Sequence, residues 1–462
     1  MKVNCKKWKL LLVPCLFIAL LFVPYFHFPV TVKCLAVSEQ GSAVLCIEPN
    51  CIRIPENETG QQFTVDVSVY RAENVYAYDF RLYYNSSLLK GIRIREGSFL
   101  KAAGSTVFTV VEFNDAYNST HGRIWAYNSL LGLKPGVNGT GTLATVIFES
   151  KPLTGLSFLE LAETILSDPS SSPIPHSEIS GIVCLGNSPQ IRVPSDYPTI
   201  HQAVNAATAG ATIVVSSGTY FENLIIDKTV SLTGENASTT VIDARQSVGM
   251  LITANSVQVT GFTIRNASGY AIDVETASFN EINDNIIENS GGGIFLGDSI
   301  QDSITRNVIL DNTQDGIQLY GIAIIANNTV KSNGRYGINV HSSQANITAN
   351  QLELNGQGIL LSSSGNSILR DNVLLNNVHN FGIDGEKPAD FIHDIDDSNE
   401  INGKKIRYLV NQNGLVLDPV TMPDVGYLGI VNSSNIHVMG LNFSDNGEGI
   451  VFAFTKDSGR VF

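Results

Sequence analysis

Charge is scarce in this chain, and basic residues are fewer than acidic ones. Only 16% of the 462 residues are charged, and 43 Asp and Glu against 29 Lys and Arg leave a net charge of −14. Nucleic-acid binding needs a basic surface that neutralises phosphates. The body of the chain has no basic patch, which also disfavours binding to an anionic lipid surface. We therefore expect no nucleic-acid partner, and membrane contact only through the N-terminal segment.

Cysteine is also sparse, with six residues, three of them within the first 40. The other three, Cys46, Cys51 and Cys184, have no paired short spacing and no His nearby, which argues against a Cys-based metal site. Export from the cell permits a disulfide. Either Cys46 or Cys51 bonded to Cys184 would tie together the two ends of the first domain.

Residues 1–40 have the composition of a targeting segment. Lys2, Lys6, Lys7 and Lys9 precede an apolar run over residues 10–23, which is typical of a signal peptide. The run continues patchily, so an uncleaved N-terminal membrane anchor is the alternative. Either way we expect the body of the chain to be secreted or held at the cell surface. Ten Asn-x-Ser/Thr sequons agree with export and predict glycosylation at Asn57, Asn85, Asn118, Asn138, Asn236, Asn266, Asn327, Asn346, Asn432 and Asn442.

One short pattern recurs five times between residues 280 and 383. Each unit opens with an Asn, at intervals of 22, 21, 22 and 22 residues, and closes with Gly-Ile. This period is typical of a solenoid with one β coil per repeat. Apolar residues after the Gly alternate, as in Ile294 and Leu296, so stacked coils would bury an aliphatic column. The opening Asn residues are Asn285, Asn307, Asn328, Asn350 and Asn372, and a second Asn trails at Asn289, Asn312, Asn333, Asn355 and Asn377.

These repeats predict a right-handed parallel β-helix over residues 199–462. The Asn residues are expected where the chain turns, because Asn tolerates left-handed backbone conformations. Their amides can also hydrogen-bond from coil to coil. The chain stops at Phe462, soon after a Gly-Ile unit, and we expect the solenoid to continue beyond it.

Residues 43–186 read as short alternating strands without a helical period, which predicts an antiparallel β-sandwich. Gly60–Val65, Asn74–Asn85, Gly141–Phe148 and Leu166–Asp168 occur in an order that resembles the cohesin family of β-sandwich modules. The resemblance implies a protein- or glycan-binding module without catalysis. Cellulosomal cohesins bind dockerins, and this chain has no dockerin-type pair of calcium loops. A purely structural spacer is the alternative.

Residues 187–198 carry three prolines and are predicted to form a linker. Residues 199–207 follow with apolar positions at helical spacing after a Thr cap, which predicts a short helix covering the open end of the solenoid. With the Gly218-x-Tyr220-x-Glu222 element, this segment resembles the N-terminal cap of pectin-esterase-like and NosD-like β-helix proteins. Residues 393–411 also resemble a NosD-like excursion that introduces a hairpin. This resemblance covers Val193 to Phe462 and places the region in the pectin-lyase-like group of folds.

Catalytic patterns of β-helix enzymes are missing. Hydrolases need two clustered carboxylates, and lyases need calcium-binding Asp residues with a basic residue. The chain has no Gly-His-Gly triplet. Gln301-Asp302 and Asp390-Phe391 lie about four coils apart, whereas pectin esterases need them about one coil apart. We therefore expect no catalysis; a polysaccharide lyase or glycoside hydrolase acting on acidic glycans is the alternative.

We expect no bound cofactor. The acidic cluster His393–Glu400 offers oxygen ligands for calcium, but its spacing matches no known cage. The NosD family name implies copper handling, which requires clustered His, Met or Cys. Such a cluster is missing among Met250, Met422, Met439, His341, His379, His393 and His437.

One column of residues is a candidate binding site. Its members lie two positions before the Ile of each Gly-Ile pair, or before the equivalent Ile where the Gly is replaced. These residues would line one edge of the solenoid. Aromatic rings beside amides and carboxylates suit sugar faces and hydroxyls. The alternative is an aromatic stack that shields the turn. The column comprises Gly292 and the predicted carbohydrate-binding residues Tyr270, Asp315, Tyr336, Gln357, Phe381 and Glu448.

Together these features predict an exported, two-domain, all-β protein of the cell surface that binds a polysaccharide or glycoprotein without catalysis. The sandwich is expected to have a protein partner of its own. By resemblance, the combination of modules and the sequon density suit an archaeal-type surface protein. A purely structural surface protein is the remaining alternative.

Overall fold

The computed structural model describes residues 42–54, 60–186, 190–443, 446 and 448–461. The predicted targeting segment of residues 1–40 and the sequon residue Asn57 lie outside these ranges. Within them the chain is nearly all β, as predicted: a sandwich precedes a parallel β-solenoid, and the α-helix Ile200–Ala206 lies at the start of the solenoid. No helix in the described part is long and apolar enough to cross a membrane.

Two mainly antiparallel sheets form the sandwich. Alternation places Tyr78, Phe80, Leu82 and Tyr84 of one strand in its core, as the period-two pattern predicts. The five-stranded sheet contains, in spatial order, His176–Ile179, Ala43–Glu48, Gln62–Val75, Val137–Ser150 and Leu89–Glu96. The six-stranded sheet contains Cys51–Ile54, Gly181–Leu185, Gly155–Ser167, Ala77–Asn85, His121–Leu130 and Thr106–Asn114.

Three long sheets, named here the first, second and third, form the solenoid, and their strands pair in parallel from coil to coil. The first contains Gln190–Val193, Thr212–Val215, Ser231–Gly234, Gln258–Thr260, Glu281–Asn283, Ile300–Thr305, Ile322–Ala326, Gln344–Thr348, Ile368–Arg370 and Asp394–Ile395. The second contains Gly218–Tyr220, Thr240–Asp243, Thr263–Arg265, Ile286–Glu288, Val308–Leu310, Thr329–Lys331, Gln351–Glu353, Val373–Leu375, Glu400–Ile401, Lys404–Val410, Val425–Val431 and Ile450–Ala453. The third contains Leu224–Ile226, Met250–Ile252, Tyr270–Val274, Gly292–Leu296, Ile317–Leu319, Tyr336–His341, Gln357–Ser362 and His379–Asp384.

The predicted aliphatic column fills the interior of the solenoid. Ile294 pairs with Ile317 and Ile317 with Ile338 in successive coils of the third sheet. These side chains, and the Leu or Val two residues after each, have no exposed surface. Burial of this column is the main favourable contribution to stacking the coils.

Two polar ladders run beside this apolar interior. In the first, each buried amide Nδ2 donates to Oδ1 of the next coil at 3.2, 3.1, 3.0, 3.0 and 2.8 Å, along Asn285, Asn307, Asn328, Asn350, Asn372 and Asn399. The second runs along Ser290, Asn312, Asn333, Asn355 and Asn377. The predicted coil-to-coil hydrogen bonds are thus confirmed, with Ser290 in the place predicted for Asn289.

The expected left-handed conformation falls one residue earlier than predicted. In the first ladder it belongs to the residue before each Asn, with φ of 56° at Asp284 and at Arg306, and 58° at Asn327. The ladder Asn residues themselves are outside the left-handed region because their side chains must point inward to reach the next coil. The turn is therefore made by a varied exposed residue, and the Asn supplies the hydrogen bonds.

The predicted helical cap is present, and it explains the Glu of the Gly-x-Tyr-x-Glu element. The side chain of Thr199 accepts a hydrogen bond from the backbone N–H of Gln202 at 3.2 Å. The Glu222 carboxylate accepts from the backbone N–H groups of Ile200 at 3.0 Å and His201 at 2.7 Å. A carboxylate at a helix N-terminus satisfies orphan donors and complements the helix dipole.

The segment predicted as a linker, residues 187–198, is partly solenoid. Gln190–Val193 pairs in parallel with Thr212–Val215 as the first strand of the first sheet. The linker prediction is therefore wrong for these four residues. The prolines that suggested it flank the strand and leave its backbone donors intact.

The predicted hairpin excursion is confirmed. Glu400 and Ile401 pair antiparallel with Lys405 and Lys404. The intervening Asn402 and Gly403 have φ of 49° and 77°, which suits a tight two-residue hairpin turn. Beyond it the second sheet continues, and a separate three-stranded sheet forms from Val416–Leu417, His437–Met439 and Gly459–Val461.

Sandwich and solenoid pack directly on each other within one compact unit, residues 40–462. Arg53 donates to the backbone oxygen of Gly210 at 2.8 Å, and Arg71 pairs with Asp298. An apolar cluster adds to these polar contacts; it joins Val44, Cys46 and Tyr70 of the sandwich to Ile300 of the solenoid.

Loss of one Asn from the first ladder should lower the stability of the solenoid. Asn328→Leu removes the acceptor of the Asn307 backbone N–H and one of the two acceptors of the Asn307 amide, and buried unsatisfied donors cost about 1–3 kcal/mol. We expect the free energy of unfolding to fall by about 3 kcal/mol in urea titrations. The control Asn346→Ala, at an exposed strand position, should lower it by less than about 0.5 kcal/mol. Equal losses in both variants would contradict the ladder's role.

Candidate functional site

The third sheet aligns the first part of the predicted column. Tyr270 pairs with Gly292, and Tyr336 pairs with Gln357. Between them, Gly293 donates its N–H to the backbone oxygen of Asp315 at 2.9 Å. Tyr270, Gly292, Asp315, Tyr336 and Gln357 therefore occupy successive coils at one edge of this sheet.

Phe381 and Glu448 do not belong to the column, so this part of the prediction is wrong. Ten residues separate Asn372 from Gly382, against eight or nine in earlier units. The extra length shifts the register, so Phe381 pairs with Ile359 in the interior with no exposed surface, and His379 takes the column position beside Gln357.

Glu448 lies beside a strand of the second sheet and outside the row of the third sheet. It precedes the strand Ile450–Ala453, which pairs with Val425–Val431 in the second sheet. The Gly-Ile pair that suggested its position is therefore not equivalent to those of the third sheet.

Asp315 is buried, and its carboxylate interacts with neighbouring residues. Its carboxylate accepts from the Asn339 amide at 3.1 Å and from the Tyr336 N–H at 3.4 Å, and it lies 3.8 Å from Arg335 Nε. Burial raises the pKa of this carboxyl group, and the two hydrogen bonds and Arg335 oppose the rise. Asp315 therefore holds Asn339 and Arg335 in place instead of facing a ligand.

A continuous row of rings crosses the outer face of the third sheet. Ring centroids are 5.3 Å apart from Tyr270 to Phe295, 5.8 Å from Phe295 to Tyr320, and 5.1 Å from Tyr320 to His341. All four side chains are partly exposed. We name this row the aromatic ladder. The alternation of inward and outward side chains along a strand could have predicted part of this row, because Phe295 lies between the inward-facing Ile294 and Leu296.

Amides and carboxylates surround the aromatic ladder. Gln318 accepts the hydroxyl proton of Tyr270, and its amide donates to the Tyr320 hydroxyl at 3.1 Å. Two buried acceptors beside the rings have no hydrogen-bond partner: Asp273 Oδ1 and Asn339 Oδ1. Unpaired buried acceptors are costly, and a ligand hydroxyl would satisfy them.

The acidic cluster is divided among separate ion pairs. Asp394 and Asp396 lie 2.6 and 3.0 Å from Arg370, and Asp397 pairs with Arg407. Among the described residues, no group of three or more His, Cys, Asp or Glu is placed to hold a metal ion.

Two of the three described cysteines are neighbours. Cys51 and Cys184 lie on adjacent parallel strands, where Cys51 pairs with Ile182 and Cys184 with Arg53. A hydrogen bond between the two thiols lowers the pKa of Cys51 to about 7, whereas burial raises that of Cys46. All three thiols are free. Of the two pairings predicted, the geometry favours Cys51 with Cys184.

The nine sequon residues within the described ranges are exposed or partly exposed. Asn118 and Asn236 accept hydrogen bonds from the backbone N–H of Thr120 and Ser238, at 2.9 Å in each case. Glycosylation stays a prediction.

Comparison with known proteins finds similarities in both parts of the chain. Residues 204–409 match the family described as NosD, periplasmic copper-binding protein. About a third of the chain is similar to solved cohesins. The non-cellulosomal cohesin from the archaeon Archaeoglobus fulgidus is 17% identical, with 32% of this chain and 92% of that chain covered and a TM-score of 0.26. The seventh ScaB type I cohesin from Pseudobacteroides cellulosolvens is 16% identical, with 32% and 95% covered and a TM-score of 0.26. None of the curated proteins matches the chain.

The described residues do not fit a copper ion. Copper requires converging His, Met or Cys ligands. His393 is buried, with Nδ1 accepting from the Ser367 N–H at 3.3 Å and Nε2 bonded to the Asp390 backbone oxygen at 3.0 Å. Burial also lowers its pKa to about 4. Met250 is buried in the apolar interior, and the two neighbouring thiols face each other without a third ligand group.

Asp273 should make stability depend on pH. Burial, and then Glu275, raise the pKa of this carboxyl group to about 6. Its contribution to the free energy of unfolding is therefore fully present below pH 4, where the carboxyl group is protonated, and is lost as the pH rises through 6 and the group ionises. We expect Asp273→Asn to raise the free energy of unfolding more at pH 8 than at pH 4, measured by urea titration. The control is Asp227→Asn, at an exposed position. An equal effect of Asp273→Asn at both pH values would contradict the burial of this charge.

Proposed function

We propose that this chain is an exported, non-catalytic glycan-binding protein, and that the aromatic ladder of the third sheet is its binding surface. The row of four partly exposed rings, spaced 5.1–5.8 Å apart, carries the proposal. Aromatic rings offer apolar faces with polar edges, which suit the alternating C–H faces and hydroxyl rims of sugars.

Hydrogen-bonding groups beside the rings support a sugar ligand. Asn339 Oδ1 and Asp273 Oδ1 are buried beside the rings and lack partners, so each gains a hydrogen bond where a sugar hydroxyl displaces the side chain that covers it. Gln318 bridges two of the rings and fixes their orientation. Preorganised side chains reduce the entropy that binding would otherwise cost.

Charge around the ladder favours neutral glycans. Asp273 and Glu275 lie at or near its rim, and the whole chain carries a net charge of −14. A polyanionic sugar would meet like charges at this surface, which costs affinity. Export agrees with this function, since the predicted targeting segment and sequons place the chain where surface glycans occur.

The position of Asp315 supports binding without catalysis. Glycoside hydrolysis uses a pair of carboxyl groups that flank the scissile bond. Asp315 is fully buried and already bonded to Asn339 and Tyr336. It is therefore poorly placed to reach a glycosidic oxygen.

Substitution in the ladder tests the proposed function. A glycan array and titration calorimetry would compare the wild type with Phe295→Ala and Tyr320→Ala. We expect each variant to bind neutral glycans at least about tenfold more weakly, about 1.4 kcal/mol. The control Phe158→Ala removes an exposed ring on the sandwich and should leave affinity unchanged. Absence of glycan binding by the wild type, or release of reducing sugar, would contradict the proposal.

A protein partner for the sandwich is a second candidate function. Trp125 Nε1 donates to the Asp79 carboxylate at 3.0 Å, and the Arg81 guanidinium lies 4.3 Å from the Trp125 ring. Arg123 lies 4.0 Å above the Tyr117 ring. These groups occupy the outer face of the six-stranded sheet. Trp, Tyr and Arg are enriched among residues that dominate protein–protein binding energy.

Site-specific photo-crosslinking tests this second function. A photoreactive phenylalanine at Tyr127, which is 38% exposed on the same face, should capture a protein in the source cell. The same probe at Tyr320 is the control. We expect Trp125→Ala to abolish the adduct at position 127. An adduct that survives this substitution, or equal capture at position 320, would contradict a dedicated partner.

A further inference from the structure

A groove lies between the edge of the sandwich and the solenoid, with a volume of about 970 Å³. We name it the junction groove. Arg71, Asn74 and Asn138 line its sandwich wall, and Tyr320, Gln344 and Ser364 belong to its solenoid wall. Both domains therefore contribute to one concave surface.

The junction groove is continuous with the aromatic ladder. The Tyr320 ring lines the groove and also contacts Phe295 and His341 of the ladder. Ser342 and Ser343, which directly follow His341, line the groove as well. A linear molecule lying on the ladder would enter the groove at Tyr320.

The sandwich wall is locally irregular. The strand Gln62–Val75 shifts register relative to Val137–Ser150 after Val69 and again after Ala72. Arg71 and Asn74 have φ of 53° and 55°, which is unfavourable for residues other than Gly and clusters at functional sites. These irregularities direct Arg71 toward Asp298 of the solenoid.

The chemistry of the groove suits an uncharged, hydroxyl-rich ligand. Serine hydroxyls and Asn and Gln amides provide donors and acceptors along both walls. Arg71 and Asp298 neutralise each other within it, and Glu73 adds one exposed negative charge, which disfavours an anionic ligand. Ser364 is 1% exposed, and its hydroxyl is buried behind the groove wall without a hydrogen-bond partner.

We propose that the junction groove binds the continuation of a neutral glycan chain whose other part lies on the aromatic ladder, so that sandwich and solenoid hold one polysaccharide together. This inference rests on the proposed function of the ladder. The ladder crosses three coil spacings of about 4.8 Å, roughly 14 Å in all. A glycan longer than this reaches the groove, and a shorter one does not.

Chain-length dependence of affinity tests the inference. Trisaccharides and heptasaccharides of glucose, mannose and galactose would be titrated into the full chain by calorimetry. We expect the wild type to bind a heptasaccharide at least about tenfold more tightly than the matching trisaccharide, about 1.4 kcal/mol.

Variants at the two walls localise the effect. Gln344→Trp narrows the groove from the solenoid, and Asn138→Trp narrows it from the sandwich; both residues are exposed. We expect each variant to lose the advantage of the heptasaccharide while keeping trisaccharide affinity. Gln344→Trp should also keep the thermal midpoint of the wild type, whereas Asn138→Trp removes the acceptor of the Asn74 N–H and should lower it. Phe295→Ala should weaken both lengths. Unchanged trisaccharide affinity therefore also reports that the groove variants are folded.

Several results would overturn the inference. If both groove variants keep the heptasaccharide advantage, the ladder alone binds the glycan and the proposed function stands without the groove. Mass spectrometry also tests whether Asn138 carries a glycan. If it does, and a heptasaccharide binds more tightly than a trisaccharide only after this glycan is removed, the groove holds the chain's own glycan and not a polysaccharide ligand. If none of these sugars binds the wild type, the proposed function fails and the inference fails with it.

Discussion

Hydrogen bonds between buried Asn side chains determine the geometry of the solenoid. Along the first ladder an amide bonds to the Asn of the next coil and to a backbone carbonyl of the preceding coil, as Asn328 does with Asn350 and with the Ile304 oxygen. Because an unpaired buried amide is costly, every coil must turn at the same place. The second ladder fixes the following turn in the same way. Between two fixed turns, the strands of the third sheet have no freedom to slip, and their outward side chains align from coil to coil.

That alignment brings the aromatic ladder together. Consecutive members of the row Tyr270, Phe295, Tyr320 and His341 are separated by 21 to 25 residues in sequence, yet each ring centroid lies within 6 Å of the next. The sandwich then closes one side of this surface through Arg71 and the apolar cluster around Tyr70. A repeated scaffold thus presents residues that are not repeated, and specificity arises from those residues.

The sequence predicted what depends on short-range periodicity. The inward Ile and Leu column, the Asn ladder and the Thr199 cap follow from spacing that local backbone geometry imposes. The hairpin at Asn402 and Gly403 was expected from the resemblance to NosD-like proteins. The sequence did not predict features that depend on insertions or on packing between domains. The longer spacing before Gly382 moved Phe381 two positions along its strand, from the expected column into the interior, and the prolines near residue 194 concealed a paired strand. The contact of Arg71 with Asp298 joins residues 227 positions apart, and no local pattern encodes it.

The central claim is that a neutral glycan lies on the aromatic ladder. A crystal structure of the chain soaked with a neutral oligosaccharide selected on the array tests it most directly. The account predicts a sugar ring stacked on Phe295 or Tyr320, with a hydroxyl bonded to Asn339 Oδ1 or Asp273 Oδ1. A sugar bound to the outer face of the sandwich, with the ladder bare, would contradict it.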